Sequence, residues 1–308
     1  MVSVVILTLN AGESLRPLLK TLLLQTVPLD ILVVDSSSTD CTVSIAEACG
    51  IRIIRVRRED FDHGSTRNVG FLHTSGDIVV FLTQDVILAG QETVERLIAP
   101  ISADKQIGCA YGRQLPSPGA TAFAAHLRFF NYGPTSMVKS GANGMRGIKV
   151  PFLSNSFAAY RRKALDEIGL FRENLISTED TYAGARMLMA GYKIAYAADA
   201  MVYHSHNYTL LEEFQRYFDI GVFHRKENWI MKNFGSAGGE GSRFVLSELL
   251  YLTREWKYGL LPEFFVRNCL KYIAFTLGRQ HQKLPVTITR NLSRNKNYWK
   301  RQAIGNGQ

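Results

Sequence analysis

Apolar residues open this chain as a continuous, β-branched run from Val2 to Leu9, the pattern of a strand covered on both faces. Leu15, Leu18, Leu19, Leu22 and Leu23 follow at the i, i+3, i+4, i+7 and i+8 spacing of a helix with one buried side. Ile31 to Val34 predicts a second strand, Thr42 to Cys49 a short helix, and Ile51 to Val56 a third strand. Ser65 is placed to cap a helix running to about Thr74, and Asp77 to Leu82 reads as a fourth strand. This alternation predicts an α/β fold whose mostly parallel central sheet is flanked by helices. Three of the strands end on polar residues: Thr8 and Asn10, then Asp35 to Ser38, then Thr83 to Asp85. Ligands of open α/β sheets bind just outside the carboxyl ends of the strands, so these clusters point to one crevice.

Farther along, residues 133–150 are rich in glycine (Gly133, Gly141, Gly144, Gly147) and read as a mobile loop. Leu153 to Tyr160 predicts a strand, Glu179 to Ala190 a helix, Tyr192 to Ala197 and Met201 to His204 two short strands, and Glu212 to Asn228 a helix. Gly235 to Ser242 carries four glycines in eight residues and is the best linker candidate. Beyond it, Phe244 to Tyr258 and Phe264 to Leu277 have helical patterning. The expected organisation is a domain over 1–234, with halves 1–115 and 116–234, and a C-terminal helical extension over 243–308.

Composition narrows the class. The chain has 308 residues, 46% of them hydrophobic, and a mean hydropathy of −0.04, which is ordinary for a soluble domain with a sizeable core and excludes disorder as the general state. No apolar run reaches the roughly 20 residues of a membrane-spanning helix, and Met1 to Asn10 lacks the basic start of a secretory signal, so a cytoplasmic protein is expected. The four cysteines, Cys41, Cys49, Cys109 and Cys269, form no metal-binding spacing and are expected to be reduced thiols. Lys and Arg number 36 against 27 Asp and Glu, and Phe264 to Gln308 holds nine of the basic residues and no acidic one. The whole excess of +9 therefore sits in the last segment. Such asymmetry points to an anionic partner, a membrane surface or a nucleic acid. No recognised nucleic-acid motif accompanies it, which favours the membrane surface, at the inner face of the plasma membrane.

The first strand is not followed by G-x-G-x-x-G, and no Walker A sequence is present, so a nucleotide would be held in another way. Five segments in order carry a resemblance: Ser3–Asn10 (SVVILTLN), Leu32–Asp40 (LVVDSSSTD), Thr66–Gly70 (TRNVG), Gly76–Asp85 (GDIVVFLTQD) and Ser177–Asp180 (STED). Together they resemble family 2 glycosyltransferases of the GT-A fold over roughly residues 2 to 225. Phe61–Asn68 (FDHGSTRN) and Thr83–Asp85 (TQD) are similar to the bacterial branch that uses dTDP-L-rhamnose.

The chemistry of such a transfer agrees with the residues. A nucleotide-sugar expels a diphosphate, and hard phosphate oxygens suit Mg²⁺ or Mn²⁺ held by one or two carboxylates. Asp85, at a strand end, is where that ligand belongs, although it can also be a turn residue. The resemblance implies a D-x-D-type motif at Thr83, Gln84 and Asp85, of which only the last acid is present, leaving the usual ribose contact in doubt. It also implies that Asp35 reads the pyrimidine ring and that Thr8, Asn10, Ser37, Asp40, Arg67 and Gln84 surround the donor. Asp40 can equally cap a helix, and Arg67 can pair with a carboxylate. Of Glu179 and Asp180, the resemblance makes Asp180 the general base, with Glu179 beside it; one base opposite the leaving group implies inversion. His204, and with less weight His206, follow a strand where the family often places a histidine near the metal, and neutral imidazole suits Mn²⁺. His63 can line the donor site. Arg161, Arg162 and Lys163 read as the solvated start of a helix.

The function expected is metal-dependent, inverting transfer of a sugar, L-rhamnose from dTDP-L-rhamnose, to a glycan or lipid-linked saccharide in cell-surface polysaccharide synthesis. The competing readings are a UDP-hexose or UDP-N-acetylhexosamine donor, and an inactive nucleotide- or glycan-binding module of the same fold. A homo-oligomer remains open, and no nucleic-acid partner is expected.

Overall fold

The computed structural model of the chain describes residues 1–141, 146–235 and 239–305. Nine strands are described: β1 (Val2–Thr8), β2 (Leu29–Asp35), β3 (Arg52–Arg55), β4 (Ile78–Thr83), β5 (Ile87–Leu88), β6 (Ile107–Leu115), β7 (Met137–Lys139), β8 (Phe157–Arg161) and β9 (Lys193–Tyr203). The helices are α1 (Leu15–Leu23), α2 (Thr42–Ala48), α3 (His63–Leu72), α4 (Thr93–Ala103), α5 (Ala122–Asn131), α6 (Arg162–Glu167), α7 (Glu179–Met189), α8 (Leu210–Lys226), α9 (Asn228–Phe234), α10 (Glu240–Arg254), α11 (Leu261–Arg279), α12 (Val286–Leu292) and α13 (Lys296–Gly305).

All nine strands join one sheet in the order β3-β2-β1-β4-β8-β6-β9-β5, with β7 on β9. The first four run parallel, while β8 lies antiparallel between β4 and β6. Alternate residues of the sheet feed two cores. Val4 and Ile6 meet the leucines of α1 on one face, and Val5 and Leu7 join Phe71, Phe81 and Tyr160 on the other. This double burial is why the strand sequences are continuous apolar runs rather than alternations.

Several boundaries differ from those predicted. Helix α3 is capped by Asp62, whose carboxylate accepts from the Gly64 and Ser65 N–H groups; the charged acceptor supplants the Ser65 hydroxyl. Residues 153–156 are loop, and the strand begins at Phe157. The two short strands expected between Tyr192 and His204 are one, β9, which crosses a register shift against Gly112 and Arg113 of β6. The segment read as a glycine-rich loop contains β7, paired antiparallel with β9; Gly144 lies outside the described residues, as do residues 236–238 of the expected linker. The helix expected over Glu212 to Asn228 starts earlier, at Leu210, because Thr209 and Glu212 form a reciprocal capping box. All four cysteines are free thiols.

The C-terminal helices pack onto the sheet domain. Helix α11 lies along α8, where Gly221 faces Phe275 and Gly278 faces Phe218 so closely that an added Cβ would collide with backbone carbonyl oxygens. Phe264 joins Phe123 and Leu252 in a small core shared by α5, α10 and α11. Tyr298 and Trp299 of α13 are buried in the main core. No helix of the described residues is long and apolar enough to cross a membrane.

Candidate active site

Parallel register sets the ends of β1, β2 and β4 side by side, with Thr8 opposite Asp35 and Leu7 opposite Thr83. Asp35 is 1% exposed. Its carboxylate accepts from the Thr8 hydroxyl at 2.9 Å, the Ser38 hydroxyl at 2.5 Å and the Ser38 N–H at 2.8 Å, which folds the turn after β2. Asn10, with a left-handed φ of 47°, accepts from the Thr39 N–H through Oδ1 and donates its own N–H to Ser38, so the two loops are tied. Ser37, also left-handed, donates to the Val56 carbonyl. Asp40 accepts from the N–H and hydroxyl of Thr42 at the start of α2. Gln84 clamps the backbone of Leu9, accepting from its N–H at 2.7 Å and donating to its carbonyl at 3.2 Å. His63 is exposed and stands edge-on to Phe61. Arg161 and Arg162 donate to backbone carbonyls that close neighbouring loops, and Lys163 is exposed.

A second group forms where β4 ends. The antiparallel pairing of Ile87 with Tyr203 carries Asp85 toward the residues that follow β9. Asp85 Oδ2 lies 3.3 Å from His204 Nε2 and 3.7 Å from His206 Nδ1. One ligand atom from each of the three residues falls within 4.8 Å of the others. Gln114, at the end of β6, sets the state of His204: its Oε1 accepts from His204 Nδ1 at 2.9 Å and also from Arg128 Nη1. Arginine can only donate, so the amide is oriented with oxygen toward both partners, and neutral His204 carries its proton on Nδ1. Nε2 keeps its lone pair, is buried, and has no hydrogen-bond partner. Burial and then the neighbouring His204 push the His206 pKa down to about 4, so its ring is neutral at ordinary pH. An unpaired, buried imidazole nitrogen beside a carboxylate and a second neutral imidazole is a donor set that fits Mn²⁺ better than Mg²⁺, which favours oxygen ligands.

A third group starts α7. Thr178, left-handed with φ 59°, turns the chain into the helix and places Glu179 and Asp180 in its first turn. A non-glycine residue in that region stores strain, a frequent mark of functional loops. Glu179 is buried and pairs with Arg67 at 2.7 Å, and it accepts from Asn155 Nδ2 at 3.3 Å. Arg67 also donates to the His63 carbonyl. Asp180 is half-buried and, among the described residues, accepts only backbone N–H groups, from Thr181 at 2.7 Å and Asn155 at 3.3 Å. Desolvation first, and the Glu179 charge second, push its pKa up to about 7. Two adjacent carboxyls are thus driven apart: Glu179 is held ionised against burial by Arg67, and Asp180 is made a stronger base.

Asp180, His204 and His206 line one cavity of about 800 Å³, together with Tyr132, Tyr208 and Arg216. A smaller concavity of about 660 Å³, around Asn68, Arg172 and Lys226, contains none of these three residues. Sequence reasoning missed Gln114, Arg128 and Asn155. Gln114 follows the same strand-end rule as Asp35 and Asp85, and the polar triplet Ser154, Asn155 and Ser156 breaks an apolar stretch.

The family model "Glycosyl transferase family 2" matches residues 3–169. The chain is 44% identical over 302 residues to "O-antigen chain rhamnosyltransferase RfbN" of Salmonella typhimurium, covering 97% of this chain and 96% of that one. It is also 44% identical to "O-antigen chain rhamnosyltransferase WbaN" of Salmonella anatum, over 88% and 86% of the two chains. Among solved structures it is similar to the mannosyltransferase PcManGT of Pyrobaculum calidifontis in complex with GDP-Man and Mn²⁺, with TM-score 0.58, 17% identity and coverage of 99% and 86%. Residues 1–349 of S. aureus TarS in complex with UDP-GlcNAc give TM-score 0.58, 19% identity and coverage of 100% and 92%.

Proposed function

This chain belongs to glycosyl transferase family 2, and from that premise we propose that it moves L-rhamnose from dTDP-L-rhamnose to a saccharide acceptor in cell-surface polysaccharide synthesis, with inversion and with help from Mg²⁺ or Mn²⁺. The observation that carries the mechanism is the sharing of one cavity by Asp180 and by His204 and His206. The donor is inferred from the full-length likeness to RfbN and WbaN.

The acceptor hydroxyl attacks the anomeric carbon while its proton passes to an Asp180 oxygen. The bond from that carbon to the diphosphate oxygen breaks on the opposite side, and dTDP departs. Asp180 suits the task because its pKa lies near neutrality, where a base is both ionised and strong enough to take the proton. Glu179 does not compete for the proton, since Arg67 and Asn155 occupy it. Asp85, His204 and His206 would hold the metal, which when bound neutralises the charge growing on the diphosphate. The turn of Thr8, Asn10, Asp35, Ser37 and Asp40 forms the nucleoside side, with Gln84 joining it to β4.

The test is turnover of a nucleotide-sugar panel (dTDP-rhamnose, UDP-glucose, UDP-N-acetylglucosamine, GDP-mannose), with and without added Mn²⁺ or Mg²⁺. The expected result is dTDP release that depends on the metal, and an Asp180→Asn variant that binds donor normally but loses about 10²–10⁴ in kcat. Preference for a UDP-sugar would overturn the donor, and near-normal turnover by the variant would overturn the base.

A further inference from the structure

Helix α11 buries Phe264 and Ala274 on its inward side, yet its outer face is apolar as well. Its inward side carries Arg267 and Lys271, both neutralised inside the protein. Arg267 pairs with Glu213 at 2.8 Å and Glu263 at 2.6 Å, and Lys271 lies 3.1 Å from Glu213 and 3.8 Å from Glu248. The solvent side shows Phe265 at 61%, Val266 at 47%, Tyr272 at 73% and Ile273 at 48% exposure. Every exposed position from Pro262 to Ile273 is uncharged, and together they trace one helical stripe. A contiguous apolar stripe turned to solvent marks a surface that something covers.

What covers it is indicated by the ground beside it. Tyr272 also borders a separate concavity of about 490 Å³ lined by Arg225, Arg279 and Lys283 and by no acidic residue. None of these three cations is in an ion pair among the described residues. A second copy of the chain docked on the stripe through a two-fold axis would bring this uncompensated charge toward itself. An anionic bilayer offers both parts of the complement, an apolar phase for Phe265 and Ile273 and phosphates for the cations. The placement also serves the site. Val245, Tyr272 and Phe275 line the cavity that holds Asp180 and His204, and Tyr272 is exposed on the stripe, so the two adjoin.

We propose that the outer face of α11, with the Arg225, Arg279 and Lys283 concavity, seats the protein on an anionic phospholipid surface and turns the mouth of its active cavity toward the lipid. This sharpens the expectation drawn from the basic C-terminal segment. The charges that act there are not the segment as a whole, because Arg267 and Lys271 face inward and Arg301 is taken by Asp62 at 3.0 Å.

Vesicle flotation of the full chain tests the proposal with no donor present, so its outcome does not depend on the sugar assignment. Vesicles of phosphatidylcholine alone are compared with vesicles containing phosphatidylglycerol, at low and high salt. The wild type is expected to float with the anionic vesicles and to be released by salt. Phe265→Ser with Ile273→Ser should abolish flotation. Arg225→Gln, Arg279→Gln and Lys283→Gln together should weaken it about 100-fold, since each cation near an anionic leaflet is worth about fivefold in partitioning. Unfolding curves should match the wild type, because these side chains are not in the core. Binding indifferent to lipid charge, or no binding, overturns the proposal. So does a wild-type dimer in sedimentation that the Phe265→Ser, Ile273→Ser variant dissolves.

Discussion

Replacing Glu179 by glutamine isolates the electrostatic part of the paired-acid arrangement, because the amide keeps the shape and can still accept from Arg67 and Asn155. In the wild type Asp180 is raised from 3.8 to about 7, by burial first and by the Glu179 charge second, while Arg67 pulls the other way. Glu179→Gln removes the charge that raises the pKa and frees Arg67 to act on Asp180, so both changes move it down. Well below the pKa, the ionised fraction of a carboxyl grows about tenfold for each unit its pKa falls. The acid limb of kcat/KM for dTDP release should therefore move to lower pH, and the plateau should drop because the base is weaker. Stability should fall as well: removing one partner of a buried pair costs about 3–5 kcal/mol, and the retained hydrogen bonds put this variant near the lower figure. The assay is a pH series of kcat/KM alongside urea unfolding of the same samples. An acid limb at the wild-type pH, in a variant whose unfolding shows the pair was lost, would refute the account of Asp180 as a base tuned by its neighbour.

Gln114→Leu should weaken Mn²⁺ binding about 10–100-fold by calorimetry, as loss of a partner that orients a ligand histidine does, while Asp85→Ala should abolish it. Asp219 accepts from Ser293 and from the N–H groups of Arg294 and Asn295, yet burial pushes its pKa up to about 7. Its folded pKa exceeds its unfolded 3.8, so its stabilisation is full below pH about 4 and is lost as pH rises through about 7; Asp219→Asn should flatten that slope in unfolding measurements at pH 5 and 8. Gly278→Ala should destabilise by about 1–3 kcal/mol in urea unfolding, because the new methyl overlaps the Phe218 carbonyl where α8 and α11 touch.

Much of the N-terminal half was legible in the sequence. Val4 to Leu7 and Ile78 to Leu82 are apolar throughout because two cores claim their two faces, and the polar residues that follow them stand together as the strand-end rule expects. The structure sets Asp85 beside His204 and keeps Glu179 and Asp180 at one helix start, all positions that the family resemblance had singled out. The supporting groups were not legible. Gln114 matters through the single oxygen it gives to His204 and Arg128, and Asn155 through contacts to Glu179 and Asp180, all set by tertiary packing rather than spacing. The same limit explains the C-terminal segment: counting charges treats Arg267 and Arg279 alike, whereas the fold neutralises the first and, among the described residues, gives the second no acidic partner.

The bridge between β5 and β9 has a consequence for the newly synthesised chain. Asp85 leaves the ribosome more than a hundred residues before His204, and the two meet only once β9 has threaded between β6 and β5. Contacts between such distant segments close late, after the local helices and the first parallel strands have formed. A nascent or truncated chain can therefore hold the turn after β2 and Asp85 and still lack Asp180, His204 and His206. The cluster of Asp85, His204 and His206 is therefore complete only with the last interior strand.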